Sequence, residues 1–399
     1  MTEAVIVATA RTPIGRAFKG SLKDVRPDDL SEQVVRGLLE KLPGLDPETI
    51  DDLYWGCADP SGAHGSNLAR VIAVLAGMDH LPAATVNRFC ASSTQTMRMA
   101  FHAIKAGEGD QYIAAGVEAV SRAGLGAGMM EETKHPRLNG SDGSAYDVYI
   151  PMGMTAENVA ERCYVTREQQ DEWAVISQNR AVDARDSGHF DDEIVPVPVP
   201  AYMDVDKEGN EIDVPDAVVS RDDGPRAGTT MEVLAKLKPA FRPDGTVTAG
   251  NACPLNDGAA AVLVMSEDRA KELGLKPKAR ILASTVAAIR PEIMGLGPIP
   301  AIQALLEQTG MKIDDIDIVE INEAFAAQIV PCKEELGIPE EKLNPFGGAI
   351  ALGHPFGMTG ARIMTTLLNG LRKLDGTYGI ESMCVAGGMG QAMLVERLN

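Results

Sequence analysis

What most constrains this chain is an alternation, run through twice, of short apolar segments rich in β-branched residues with longer segments whose apolar residues recur at helical spacing. Residues 3–10 read as a buried strand. A helix is predicted over 27–42, with Pro27 and Asp28-Asp29 at its start, where helix N-termini favour them. Strands follow at 52–56 and 84–87, with a helix over 67–76 between them and Ser66 as its N-cap. Met97, Ala100, Phe101 and Ile104, at i, i+3, i+4 and i+7, predict a largely buried helix over 92–105, and a buried strand follows at 111–117. Strands alternating with helices in this way pack as an α/β fold with mainly parallel or mixed sheets.

Between 121 and 243 the alternation stops. This stretch carries Gly-Met pairs, many charges, prolines at 196, 198, 200 and 215, and one strong amphipathic helix over 166–187 that opens on the capping box Thr166-Arg-Glu-Gln169. It reads as an irregular insertion over the main body, a setting that commonly carries substrate contacts. After 245 the alternation resumes. Residues 258–265 read as a buried strand or a helix start, 267–274 and 300–310 as helices, 279–288 and 317–321 as strands, 361–371 as a helix, and 381–386 with 391–396 as the last strand pair.

A weak internal repeat links the two stretches. Cys90 precedes the 92–105 helix, a Gly107–Asp110 turn and an apolar strand; His354 precedes the 361–371 helix, Asp375-Gly376 and an apolar strand. Two similar halves, each delivering one reactive group at the entry of a helix, place both groups near a common interface. The division that follows is 1–120 with 244–270 as the N-terminal half, 121–243 as the inserted loop domain, and 271–399 as the C-terminal half.

Composition narrows the partners. Fifty-seven Asp and Glu against 37 Lys and Arg leave a formal charge of −20, which argues against nucleic acid and leaves room for a small phosphorylated ligand held by one local basic patch. No apolar run is long enough for a membrane-spanning helix. The first residues show no basic segment followed by an apolar one, so no secretory signal is expected and a cytoplasmic location is. Cys57, Cys90, Cys163, Cys253, Cys332 and Cys384 lack CxxC spacing. Neither a zinc site nor a disulfide framework is expected, and one or two of these thiols are free for chemistry.

Four segments carry that chemistry. In the run from Gly347 to Arg362 a histidine, His354, sits in a glycine-dense loop just before a helix; Cys384 leads into a second glycine cluster ending at Gly390. Glycines concentrate where a chain turns tightly or approaches a ligand closely, so a thiol and an imidazole on such turns suggest covalent acyl transfer, the alternative being tight loops between packed elements. Cys90 stands between a strand and a buried helix. There the helix dipole is expected to lower its pKa and favour the thiolate, the alternative being a buried structural cysteine. Asn322, at the end of a strand, reads as a helix cap or as the holder of a water in a site.

Together these segments resemble the thiolase family, in Asn87-Arg-Phe-Cys90, Asn322-Glu-Ala-Phe325, the Gly-Gly-Ala-Ile-Ala-Leu-Gly-His-Pro of 347–355, and Cys384-Val-Ala-Gly-Gly-Met-Gly390. The likeness continues through Met152-Gly-Met-Thr-Ala-Glu-Asn-Val159, Thr248-Ala-Gly-Asn251, Asn256-Asp-Gly-Ala-Ala260 and Met294-Gly-Leu-Gly-Pro298, and so covers the chain. It implies a five-layered αβαβα fold of two similar halves, a homodimer or homotetramer, and Claisen chemistry on coenzyme A (CoA) thioesters with no cofactor and no metal.

By the same resemblance Cys90 is the nucleophile and Cys384 the acid/base thiol. His354 activates Cys90 and helps hold the enolate, and Asn322 fixes a water in that oxyanion hole. The amides of Cys90 and Ala386 form a second hole, and Arg226, Cys253, Met152 and Phe325 contact CoA or substrate. Arg221 is the other candidate for the nucleotide, or else pairs with Asp222 or Asp223.

The sequence departs from the family pattern at Ala386, where glycine is usual and the dihedrals must suit alanine, and at Cys253-Pro254, where a serine–glycine pair is common. Pro151-Met-Gly153 and Asn87-Arg88 are similar to the degradative branch, which cleaves 3-oxoacyl-CoA in fatty-acid β-oxidation. The alternatives are a biosynthetic acetoacetyl-CoA thiolase and a non-catalytic CoA- or lipid-binding protein of the same fold. A ketosynthase of the superfamily would present Cys-His-His or Cys-His-Asn in place of a second thiol.

Overall fold

A computed structural model describes residues 2–123, 134–140, 146–205 and 210–399. The glycine- and methionine-rich start of the insertion, 124–133, lies outside the described residues. The N-terminal half is built from β1 (Ala4–Arg11), α1 (Pro27–Glu40), β2 (Asp52–Gly56), α2 (Leu68–Leu75), β3 (Ala83–Val86), α3 (Ser92–Ala106) and β4 (Gln111–Ala119). The insertion supplies α4 (Met152–Cys163) and α5 (Arg167–Asp186), and β5 (Asn256–Ser266) returns to the first half. The C-terminal half comprises β6 (Ala279–Ala288), α6 (Pro298–Thr309), β7 (Ile318–Ile321), α7 (Ala326–Leu336), α8 (Thr359–Lys373), β8 (Tyr378–Val385) and β9 (Met389–Arg397).

The strands run in the order β7-β8-β9-β6-β1-β5-β4-β2-β3, and the two-residue strand Gly15–Arg16 pairs with β5. The sheet is mixed. β5 lies antiparallel between β1 and β4, whereas β2 runs parallel to β4 and β3, and β7 parallel to β8. The halves meet edge to edge through only two registered pairs, Val5 with Arg280 and Ile6 with Ala279. Along β4 and β5 every residue is buried, because helices cover both faces.

Five layers result. α1 and α2 cover the outer face of the N-terminal half, α6 and α7 the outer face of the C-terminal half, and α3 with α8 form the layer between. Met97, Ala100 and Ile104 of α3 and Met364, Leu367 and Leu371 of α8 share one core with inward residues from both halves of the sheet. At about 25 cal/mol per Å² of apolar surface, such interlocking burial dominates the folding free energy.

Within the insertion the Thr166–Gln169 capping box forms with both of its hydrogen bonds, Gln169 N–H donating to Thr166 Oγ1 at 3.2 Å and Thr166 N–H to Gln169 Oε1 at 2.8 Å. The prolines at 198 and 215 fall in or beside two small hairpins, Val197–Val199 with Ala217–Val219 and Tyr202–Val205 with Glu211–Val214. One local expectation is corrected: α2 is capped by Asn67, whose side chain accepts from Arg70 N–H, not by Ser66. Ser66 has φ +62°, outside the extended backbone an N-cap uses.

Candidate active site

The Cys90 turn lies between β3 and α3. Asn87 Oδ1 accepts from Phe89 N–H at 2.8 Å, and Phe89 O accepts from Ser92 Oγ at 2.6 Å and Ser92 N–H at 3.0 Å. These bonds hold Phe89 at φ +45°, a conformation that costs a non-glycine residue about 1–3 kcal/mol. The turn leaves Cys90 partly exposed, next to the first turn of α3. The backbone amides of Cys90 itself and of Ala386 are both directed at its sulfur.

That environment reverses one expectation. Burial pushes the Cys90 thiol up to about 12, and its two amide donors only partly offset this. Desolvation acts on the whole charge of a thiolate whereas a helix end offers a fraction of one, which favours the neutral thiol at rest. Burial likewise raises Cys384 and Cys253 well above the ordinary thiol value, and each lies near enough to Cys90 to be raised further by a thiolate there, so three thiols lie close together.

His354 arrives on the loop before α8. Gly353, at φ +111°, precedes His354, and a Cβ there would overlap the Asn256 amide, whose Oδ1 accepts from His354 N–H at 2.9 Å. Thr359 Oγ1 donates to Pro355 O at 2.7 Å and lies 2.7 Å from His354 Nδ1. The hydroxyl proton is committed to the carbonyl, so the ring proton sits on Nδ1 and the lone pair on Nε2. Nε2 lies 3.2 Å from Asn322 Nδ2. Burial, then the Arg362 charge, hold His354 down to about 3, so the imidazole is neutral.

Asn322 is not a helix cap, for α7 begins at Ala326 with Phe325 at the N-cap position. Its buried Oδ1 has no hydrogen-bond partner among the described residues and is free to accept from a water. The neighbouring Glu323 is a clamp. It accepts from Trp173 Nε1 (3.0 Å), Ser177 Oγ (2.6 Å), Asn344 Nδ2 (2.9 Å) and Ile350 N–H (3.2 Å), fixing the segment against α5 and the His354 loop.

At Ala386 the alanine fits. The left-handed dihedrals of that turn fall on Gly387 (φ +76°) and Gly388 (φ +83°), and Ala386 is not among the positive-φ residues.

A cavity of about 330 Å³ opens among Arg16, Gln178, Arg226, Leu234, Leu237 and Pro254, and one of about 310 Å³ lies among Arg16, Phe18, Lys19, Phe241, Cys253 and Pro254. They share Arg16, Ala249, Ala252 and Pro254, so they adjoin, and the second is lined by Cys253. Phe325 meets Phe241 edge-on at 6.0 Å, and Met152 packs on the same apolar cluster as Phe325 and Cys384.

Arg226 lies on the rim of the outer cavity. Its pKa is lowered by burial and then by the Arg16 charge, so two guanidinium groups face the opening together. Arg221 does not pair with Asp222 or Asp223. Arg11 takes Asp222 at 2.8 and 3.0 Å, and Asp223 Oδ2 accepts from Arg16 N–H and Ser21 N–H.

Sequence reasoning missed Thr359 and Arg16. A hydroxyl on the first turn of the helix after a loop histidine was a usable signal for the first. Arg16 joins Arg226 only through tertiary contact.

Comparison with known proteins agrees with this geometry. The family models "Thiolase, N-terminal domain" and "Thiolase, C-terminal domain" match residues 4–268 and 275–397. The chain is 43% identical over 417 residues to a beta-ketoadipyl-CoA thiolase of Acinetobacter baylyi, covering 100% of both. It is 44% identical over 397 residues to a 3-ketoacyl-CoA thiolase of Bacillus subtilis, covering 99% of this chain and 100% of that one. Among solved structures it superposes on human mitochondrial 3-ketoacyl-CoA thiolase with a TM-score of 0.87 at 37% identity, covering 99% of each chain. For the Bacillus anthracis acetyl-CoA acetyltransferase the TM-score is 0.86 at 40% identity, covering 100% of this chain and 99% of that one.

Proposed function

The chain belongs to the thiolase family and is an acyltransferase acting on CoA thioesters, and from that premise we propose that it cleaves a 3-oxoacyl-CoA with CoA to acetyl-CoA and a shortened acyl-CoA. The observations that carry this reading are the nearness of the Cys90 and Cys384 thiols, with two amides aimed at the Cys90 sulfur, and the pairing of His354 with Asn322.

His354 Nε2 takes the Cys90 proton as the sulfur attacks the 3-keto carbon. The amides of Cys90 and Ala386 hold the tetrahedral oxyanion; one such donor is typically worth about 10²–10³-fold in rate. The C2–C3 bond then breaks, and its electron pair moves onto the thioester carbonyl as an enolate. The newly protonated Nε2–H and a water on Asn322 stabilise that oxygen, and the Cys384 thiol protonates C2 to release acetyl-CoA. The Cys384 thiolate next takes the proton of incoming CoA, whose sulfur attacks the acyl group on Cys90. Cys90 leaves and recovers its proton from His354. Each acid/base step contributes about 10²–10⁴-fold.

The two adjoining cavities, lined by Arg226, Arg16 and Cys253, suit CoA, with phosphates at the arginines and pantetheine among the apolar residues. The acting unit is a homodimer or homotetramer. Among the described residues no helix is long and apolar enough to cross a membrane, and a cytoplasmic location is part of this reading.

Steady-state rates across 3-oxoacyl-CoA chain lengths test the proposal. Cleavage of substrates longer than acetoacetyl-CoA supports it; activity confined to acetoacetyl-CoA would move the protein to the biosynthetic reading.

A further inference from the structure

Glu118, the penultimate residue of β4, belongs to none of the motifs above and is buried. Its carboxylate accepts from Ala58 N–H at 2.9 Å and Asp59 N–H at 3.2 Å, just past β2, and from Gly357 N–H at 2.9 Å, in the turn after His354. The first contact continues to the nucleophile. Asn87 Nδ2 donates to Ala58 O at 3.1 Å, and Asn87 Oδ1 holds Phe89 N–H immediately before Cys90. On the other side a Cβ on Gly116 would overlap the Gly357 carbonyl, and one on Gly357 would overlap the Val117 carbonyl. The His354 turn therefore rests backbone to backbone on β4, and one carboxylate ties it to the loop that holds the Cys90 turn.

The neighbours of this carboxylate do not make it a metal site. Cys57 Sγ lies 3.8 Å and His64 Nδ1 3.9 Å from Glu118 Oε1, and the three offer ligand-type atoms within 4.8 Å of one another. Ala119 N–H, however, donates to His64 Nε2 at 2.9 Å. The ring proton is therefore on Nδ1, the atom facing Glu118, and that nitrogen has no lone pair for an ion.

The groups facing Glu118 are Cys57, His64, Asp59 and Cys90. Burial holds His64 down to about 4 and raises Cys57, so neither is charged near neutral pH. Burial raises Glu118 to about 7, against the pull of its three amide donors.

We propose that Glu118 is a positioning residue whose ionised carboxylate holds the Cys90 and His354 turns in register for proton transfer between them. The inference rests on the reading of Cys90 as nucleophile and His354 as base. Protonation turns one acceptor oxygen into an O–H donor facing amide donors, so that the hold slackens as pH falls through about 7. The folded-state pKa lies above the ordinary carboxyl value, so ionising Glu118 costs stability as pH rises towards 7. Loss of the charge is therefore expected to lower activity without a matching loss of stability.

The isosteric Glu118→Gln tests this. The turnover number kcat is expected to fall about 10-fold to 10²-fold, as for a small misplacement of reacting groups, with KM for CoA within about twofold. The wild-type kcat profile should show an acid limb near pH 7 that the variant lacks, while the melting temperatures stay within about 2 °C. A variant with wild-type kcat and the limb intact overturns the proposal. So does a parallel collapse of melting temperature and activity. Should the variant fail to fold, the wild-type profile decides: an acid limb near pH 7 supports the proposal, and a flat profile there overturns it. Mapping the acyl group in the wild-type enzyme separates the two readings. An acyl group away from Cys90 defeats the catalytic assignment, whereas acyl-Cys90 with an indifferent Glu118→Gln defeats this inference alone.

Discussion

His354 and Thr359 are joined by a 2.7 Å bond between Nδ1 and Oγ1, and the threonine hydroxyl is itself committed to the Pro355 carbonyl at 2.7 Å. The pair decides which face of the imidazole is reactive. With the proton locked on Nδ1, only Nε2 can accept from a thiol. On the mechanism proposed above, the same atom then becomes a donor for the enolate oxygen, so that a single tautomer would serve first as base and then as part of an oxyanion hole.

Thr359→Val should leave a buried N–H without an acceptor, a loss of about 1–3 kcal/mol. The expected outcome is a fall in kcat of about tenfold or more with KM little changed, and near-complete rescue by Thr359→Ser, which keeps the hydroxyl. If valine and serine behave alike, the hydroxyl does not set the tautomer.

Acyl transfer should pass through Cys90. After incubation with acyl-CoA, peptide mapping by mass spectrometry is expected to find the acyl group there and to lose it in Cys90→Ser. An acyl group found only on Cys253 or Cys384 would reassign the nucleophile.

Cys384 and His354 should separate in single-turnover assays. Cys384→Ser is expected to acylate Cys90 slowly and then stall at the proton transfers to carbon and from CoA, whereas His354→Ala slows acylation itself by about 10²-fold or more. Wild-type acylation rates in both variants would be incompatible with this division of roles.

In the resting site burial pushes Cys90 up to about 12 and holds His354 down to about 3, which favours the neutral form of both. Deprotonation of Cys90 therefore grows with pH across the whole neutral range. Its alkylation by iodoacetamide should accelerate continuously from about pH 6 to about pH 10, with no plateau between, since only the thiolate reacts. A plateau below about pH 8 would indicate a thiolate–imidazolium pair instead.

Arg226→Ala should raise KM for CoA about fivefold, the worth of about 1 kcal/mol for an exposed charge contact, while the chemical step stays the same. The effect should shrink as salt is added. An unchanged KM at low ionic strength would remove Arg226 from the CoA site.

Much of this protein was determined by local sequence. The glycine-dense turns around His354 and Cys384 and the helix after Cys90 are short-range features whose dihedral and spacing demands are written into adjacent residues. The predicted helix over 92–105 accordingly falls within one residue of Ser92–Ala106. The capping box at Thr166 was legible for the same reason, whereas the Asn67 cap was mistaken for its neighbour Ser66 because both residue types suit the role.

Tertiary structure decided what depends on distant groups. The charge state of Cys90 reversed because desolvation sums over all the surrounding protein, while the helix end that the sequence revealed is one partial charge beside it. The meeting of Arg16 with Arg226, the edge that joins the two halves through β1 and β6, and the carboxylate of Glu118 spanning Ala58 and Gly357 link residues far apart in the chain. Periodicity and turn chemistry report which element a residue occupies; which groups share a buried, low-dielectric space is fixed only when the layers close.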